Sequence, residues 1–196
     1  MKKDIISDSE QKTNHKEINS LLISSYLDSD IFRYIYHVLI SVVLGIFAGS
    51  GGILFHYLLD RMRDFFEPQN ISRSYDINPF FIILIPVVGG LVCSLMTRFS
   101  PEIAKEKGVL SVIKAVIIRK GLIPIRETLF HLVAPIISIG TGAPLGPEGP
   151  AAKIGGGIGS FMSQIFRLSS NDMIMYTSAG GGAAISAVFN APIAGV

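Results

Sequence analysis

The sequence predicts an all-α membrane protein whose later transmembrane helices are tilted and broken. Hydrophobic residues make up 49% of the 196 residues, and charged residues only 16%. Two stretches, 34–59 and 77–97, contain no Asp, Glu, Lys or Arg, and each reaches the ~20 residues that a helix needs to cross a bilayer. After residue 127, glycine and proline interrupt further uncharged runs. Such interruptions are typical of transporters, which place irregular backbone around a site within the membrane.

Composition and motifs argue against several other classes of protein. The net charge of +2 is too small to indicate a nucleic-acid partner. Cys93 is the only cysteine, so no disulfide can form within the chain. The stretch "GTGAPLG" at 140–146 departs from the dinucleotide-binding spacing and contains Pro144. We therefore predict neither an enzyme nor a bound cofactor or metal.

Residues 1–31 are predicted to form a cytoplasmic tail, and residues 32–196 a membrane domain. The first 20 residues mix both charge signs with few apolar positions, which favours a flexible segment. The apolar run that follows is too long for a signal peptide. Its small residues would allow a second helix to approach closely; they are Gly45, Gly49, Gly51 and Gly52.

The loop charges predict the orientation of the chain. Seven basic residues lie from Arg98 to Arg126, whereas the loop 60–76 contains three. The positive-inside rule places the richer loop in the cytoplasm. The N-terminus, two crossings earlier, is then cytoplasmic too. We expect the membrane to be the plasma membrane of a bacterial cell.

Three later segments are apolar but interrupted or short. Residues 128–147 contain Pro135 and Pro144, and residues 154–166 are too few for a full crossing. Residues 173–196 are interrupted by the Gly180–Gly182 run and by Pro192. The chain stops inside this last apolar run, which we interpret as truncation of a longer protein.

Glu148 is the candidate functional residue of these segments. Pro150 suits the first turn of a helix running from about 149 to 166, because its missing N–H would have no partner there. The free backbone N–H groups and positive dipole end of that helix can bind a small anion. They can equally stabilise the Glu148 carboxylate, so the two would compete for one place. Protonation of Glu148 would release that place.

Two structural alternatives accompany this interpretation. Glu148 could simply pair with Lys153, and a nearby ammonium would favour its ionised form. The glycines at 155–157 and 159 favour a packing face over a ligand loop, since Gly155 and Gly159 form a small-xxx-small pair.

Three motifs resemble those of the CLC chloride channels and proton/chloride exchangers. "GPEGP" at 146–150 is followed by "KIGGGIGSF", and "FNAPIAGV" stands at 189–196. Upstream, "FSPEIAKEKGVLSVIKAV" at 99–116 is similar to the lead into the family's first anion-binding helix. The resemblance runs from about residue 33 to the end of the chain.

This resemblance implies the first of two inverted repeats of a homodimeric anion transporter. Glu148 would be the gate and, in an exchanger, also the proton acceptor. The anion, chloride or a similar halide, would be bound by backbone around two segments. These are Lys107, Gly108 and Val109, and Gly149, Pro150, Ala151 and Ala152.

The chain also departs from the family pattern. Lys107 stands where a serine is usual and Leu110 where a proline is usual, while Pro147 replaces a basic residue and Lys153 a neutral polar one. Anion preference and the choice between channel and exchanger therefore stay open. Lys107 could equally belong to the cytoplasmic basic loop.

The family's second repeat supplies further groups to the anion site, and the sequence contains no counterpart of them. The main functional prediction is transmembrane anion transport gated by Glu148. The alternative is a truncated fragment without transport activity of its own.

Overall fold

The computed structural model describes residues 2–67, 83–105 and 108–195, with side chains from Ile31 onward except those of Lys105 and Ala194. Within these ranges the chain is helical and contains no strand, which confirms the all-α class. The helices are α1 (Lys2–Phe66), α2 (Leu84–Phe99), α3 (Pro101–Lys105), α4 (Gly108–Ile118), α5 (Ile125–Gly140), α6 (Glu148–Ile165) and α7 (Ser170–Val188), followed by a 3₁₀ turn (Pro192–Gly195).

The chain forms two units, one ending at Val42 and the other beginning at Val43. The first unit consists of the earlier part of α1. The segment predicted to be flexible, residues 1–20, is helical from Lys2 onward, and its flexibility stays a prediction. The chain contains no glycine or proline before Gly45, and nothing of that kind interrupts the helix. The cytoplasmic location of residues 1–31 stays a prediction.

One helical stretch in the described part of the chain, Ile31–Phe66, is long and apolar enough to cross a membrane. It contains the first predicted span, 34–59. The second predicted span begins outside the described residues. Its later part lies in α2, which is one of two shorter apolar helices, the other being α4.

Helices α6 and α7 run antiparallel and pack through their glycines. A Cβ atom on Gly155 would overlap the carbonyl oxygen of Gly180, and one on Gly159 would overlap that of Tyr176. This confirms the predicted packing face. The Gly180–Gly182 run does not interrupt the helix, because α7 continues to Val188. The missing side chains serve close approach rather than a break.

The later part of α1 packs in the second unit. Phe55 and Leu59 are fully buried in a core cluster; its other buried members are Ile139, Ala151, Ile154 and Val188. A Cβ on Gly52 would lie 2.8 Å from the Ala184 carbonyl oxygen, and Gly51 meets Ile158. Gly45 and Gly49 face open space, so the predicted close approach holds for two of the four glycines.

Helix α4 runs parallel to α6, and α5 runs antiparallel to it. The turn between α4 and α5 needs glycine, since Gly121 has φ +81° and a Cβ there would lie 2.8 Å from the Met173 backbone. The Gly121 carbonyl oxygen accepts a 2.8 Å hydrogen bond from the Thr177 hydroxyl. Pro135 does not break α5, which runs through it to Gly140. A proline removes one backbone donor and crowds the carbonyl four residues earlier, but the helix continues past it.

Candidate anion site

The site is organised by the first turn of α6. Glu148 is the first residue of this helix, and Pro147 precedes it as the N-cap. Pro150 lies in the first turn, where a missing N–H leaves no helical hydrogen bond unmade. The predicted helix of about 149–166 is therefore confirmed, with each end shifted by one residue.

A second helix begins beside the first. Gly108 starts α4 with φ +67°, a backbone conformation that favours glycine. A Cβ on Gly149 would lie only 2.9 Å from the Gly108 Cα. The two parallel helices thus present their N-termini side by side. Each N-terminus carries unpaired N–H groups and a partial positive charge, so the pair favours a negative group here.

A cavity of about 470 Å³ lies at these helix N-termini. Five residues predicted for the site line it: Gly108, Val109, Glu148, Gly149 and Pro150. Glu148 is exposed. Its carboxylate folds back against Gly146, in the space that a Cβ on Gly146 would occupy. The structure therefore brings the candidate gate and both helix N-termini to one cavity.

Sequence reasoning missed the opposite side of this cavity. It is lined from α2 by Cys93 and Thr97 and from α5 by Phe130, His131, Ala134, Pro135, Ser138 and Ile139. The α5 positions recur at steps of three or four, as residues on one helix face do. That spacing identifies the face, but only the fold shows that it meets Glu148. His131, 8% exposed, also lines the cavity.

Of the other residues predicted to bind the anion, the two described ones are not among those that line the cavity. Ala151 and Ala152 are buried and pack into core clusters, and the Ala151 N–H donates to the Pro147 carbonyl oxygen at 3.0 Å. That N–H is engaged within the helix. The anion-binding roles of both alanines stay predictions. Lys107 lies outside the described residues.

The alternative pairing of Glu148 with Lys153 is wrong. The Lys153 ammonium lies 2.9 Å from the Glu127 carboxylate, and it donates to the Ser111 hydroxyl at 3.2 Å. Five residues of helix rotate a side chain by about 140°, so Lys153 and Glu148 point to different sides of α6. Glu127 also accepts a 2.8 Å hydrogen bond from Arg119. Sequence reasoning missed this network.

No group of three or more His, Cys, Asp or Glu side chains within the described ranges is arranged to hold a metal ion.

Comparison with known proteins gives a consistent result. Residues 88–196, more than half of the chain, match the family described as voltage gated chloride channel. The chain is 32% identical over 165 residues to "Chloride channel protein CLC-e" of Arabidopsis thaliana. It is 28% identical over 167 residues to "H(+)/Cl(-) exchange transporter ClcA" of Yersinia pestis bv. Antiqua (strain Angola). These alignments cover 78% and 81% of this chain, but 22% and 34% of the two relatives.

A solved structure shows the same fold. The crystal structure of a slow cyanobacterial Cl⁻/H⁺ antiporter superposes with a TM-score of 0.65 at 26% identity. The match covers 81% of this chain and 38% of the antiporter, so the chain spans between about a fifth and two fifths of these proteins. With the family match over more than half of its residues, the chain belongs to the CLC family of voltage-gated chloride channels, which are integral membrane proteins.

Proposed function

We propose that this chain provides a gated anion site for the transport of chloride or a similar small anion across a membrane, with Glu148 as the gate. One observation carries the proposal: Glu148 lines a cavity at which two parallel helices, α4 and α6, both begin. Two helix N-termini favour a negative charge, and the only carboxylate lining this cavity among the described residues is that of Glu148.

The gate works by competition. When Glu148 is ionised, its carboxylate occupies the positive environment at the helix N-termini and keeps the anion out. A proton on the carboxylate removes that charge, so the side chain leaves and a chloride ion takes its place. The backbone N–H groups around Gly108 and Gly149 then bind the anion without a basic side chain.

The relatives include both kinds of transport, since CLC-e is named a channel and ClcA an exchanger. In a channel, the Glu148 proton only opens the pathway. In an exchanger, Glu148 also carries the proton against the chloride flux. The family resemblance supports a homodimer in a bacterial plasma membrane, and the loop charges support a cytoplasmic N-terminus.

The Glu148→Gln variant tests the gate. The protein is expressed from its genomic reading frame, including any continuation of that frame, and reconstituted into liposomes. A neutral amide neither competes with an anion nor carries a proton, so we expect changed chloride flux that no longer depends on pH. Flux is measured with and without a pH gradient.

Glu102→Gln is the matched control, because Glu102 is an exposed glutamate of the short helix α3. This variant should keep the pH dependence of the wild type. Retained pH dependence in Glu148→Gln would falsify the role given to Glu148.

A further inference from the structure

Lys153 is a fully buried lysine in the second turn of α6, with 0% of its surface exposed. Lysine is almost never buried to this extent unless it is paired. Removing a charge from water is costly, and a buried ion pair is often no more stabilising than apolar residues of similar volume. Stability alone therefore does not account for this residue.

The contacts of Lys153 lead towards the cavity. Its ammonium group can only donate hydrogen bonds, so the Ser111 hydroxyl oxygen accepts at 3.2 Å. That hydroxyl in turn donates to the Gly108 carbonyl oxygen at 2.8 Å. Gly108 is the first residue of α4 and lines the cavity together with Glu148. A continuous chain of hydrogen bonds thus runs from Lys153 to the anion site.

Glu127 holds the other side of Lys153. Its carboxylate lies 2.9 Å from the Lys153 ammonium and 2.8 Å from the Arg119 guanidinium. Arg119 directly follows the end of α4, whereas Ser111 lies in the first turn of that helix. The network therefore fastens α4 near both ends, and it ties α4, α5 and α6 together.

Helix α4 has little room to move relative to α6 at the site. The Cα of Gly108 lies so close to Gly149 that a single added methyl group would be only 2.9 Å away. A small shift of α4 along α6 would change the spacing of the two sets of N–H groups. Anion binding by such groups depends on that spacing.

We propose that Lys153 is a positioning residue for the anion site, which holds the first turn of α4 against α6 through Ser111. This inference rests on the proposed anion transport, and it assigns part of the anion affinity to a buried cation that does not touch the anion. The Glu127 carboxylate, 2.9 Å from the Lys153 ammonium, holds that group towards Ser111.

Chloride binding and thermal unfolding of the purified protein, expressed from its genomic reading frame, test this inference. Lys153→Met should weaken chloride binding in isothermal titration calorimetry by about tenfold, equivalent to about 1.4 kcal/mol. Lys153→Met should also lower the unfolding temperature, because it leaves the Glu127 charge without its lysine partner. The double variant Glu127→Gln/Lys153→Met removes both charges, so it should restore the unfolding temperature but not the chloride affinity. Ser111→Ala keeps both charges and should weaken binding in the same direction.

Lys114→Met is the matched control, because Lys114 is an exposed lysine on the same helix as Ser111, and it should bind chloride like the wild type. Wild-type affinity in the double variant, or in Ser111→Ala, would overturn the positioning role. If the proposed anion transport is itself wrong, the measurements differ from those that would contradict only the positioning role. The wild type itself would then neither bind nor transport chloride, and this inference would fall with it.

Discussion

At the scale of the residue, the position of the Glu148 side chain depends on a neighbour without a side chain. The carboxylate lies against Gly146, two residues earlier, in the space of an absent methyl group. This folded-back position keeps the carboxylate beside the start of its own helix, where the dipole stabilises its charge. Gly146 therefore makes room for the Glu148 carboxylate in this position.

Gly146→Ala should displace the gate without disturbing the fold. The new methyl group would overlap the carboxylate, and only the far end of a flexible side chain needs to move. An ionised Glu148 that cannot occupy this place blocks the anion less. We expect higher chloride flux at alkaline pH and a pH midpoint of activation shifted upward, measured in liposomes.

Gly90→Ala is the control for this substitution, because nothing lies within 4 Å of a Cβ at Gly90. It should leave the flux unchanged. An unaltered pH midpoint in Gly146→Ala would show that the folded-back position has no part in gating.

Local signals are enough to predict the helix start at Glu148, whereas its neighbours from other helices are not predictable. Pro150 and the glycine after Glu148 indicate a helix start within a few residues of sequence. Lys153 and Glu127 lie on antiparallel helices and meet only in the fold. His131 reaches the cavity because α5 passes it, and nothing in its own neighbourhood indicates a site.

At the scale of the element, glycines in α6 and α7 lead to two opposite predictions, close packing in one helix and a break in the other. Gly155 and Gly159 were predicted to pack, and they do. The Gly180–Gly182 run was predicted to break its helix, but α7 continues through it. The spacing within one helix identified the first pair. The packing role of Gly180 depends on its contact with Gly155 of the partner helix. The sequence alone does not show that these two helices pack against each other.

Gly155→Ala should destabilise the protein. The added Cβ would meet the Gly180 backbone carbonyl, and backbone cannot rotate away as a side chain can. Overpacking of this kind typically costs about 1–3 kcal/mol. We expect a lower unfolding temperature in detergent and, since α6 carries Glu148, a loss of chloride binding.

Gly45→Ala provides the comparison, since Gly45 lies within a helix and faces open space. Alanine favours a helix over glycine by about 0.8–1.0 kcal/mol, so this variant should be as stable as the wild type or more stable. Equal stability of the Gly155→Ala variant and the wild type would contradict the described contact between α6 and α7.

At the scale of the whole molecule, the proposed gate lies at a surface that the described residues leave open. Glu148 is exposed, and the neighbouring Leu145 is 60% exposed. A charged carboxylate facing lipid is costly, so intramembrane acids face protein or a water-filled cavity. The matched antiporter is longer, since this chain covers 38% of it. We infer that further protein covers Glu148 in a working transporter.

The 196-residue chain expressed alone should therefore give no chloride flux above that of empty liposomes. Among the described residues, nothing covers the exposed Glu148 side chain, so we expect the proposed pathway to lack one wall. Co-expression with the remaining part of the cyanobacterial antiporter should restore some flux if the two pieces assemble. Saturable chloride flux from the purified 196-residue chain would contradict this, and it would show that copies of the chain close the pathway for one another.

The contact of Gly155 with Gly180 also has a consequence for the time that gating takes. The α6 and α7 backbones are in direct contact there, so we expect the Glu148 side chain to move in the proposed gate while α6 keeps its place on α7. Exposed side chains change rotamer within picoseconds to nanoseconds, whereas collective helix movements need microseconds to milliseconds. If Glu148 gates the site as proposed, we expect the arrival of a proton to be the slow step of opening, and the opening frequency to rise in proportion to proton concentration.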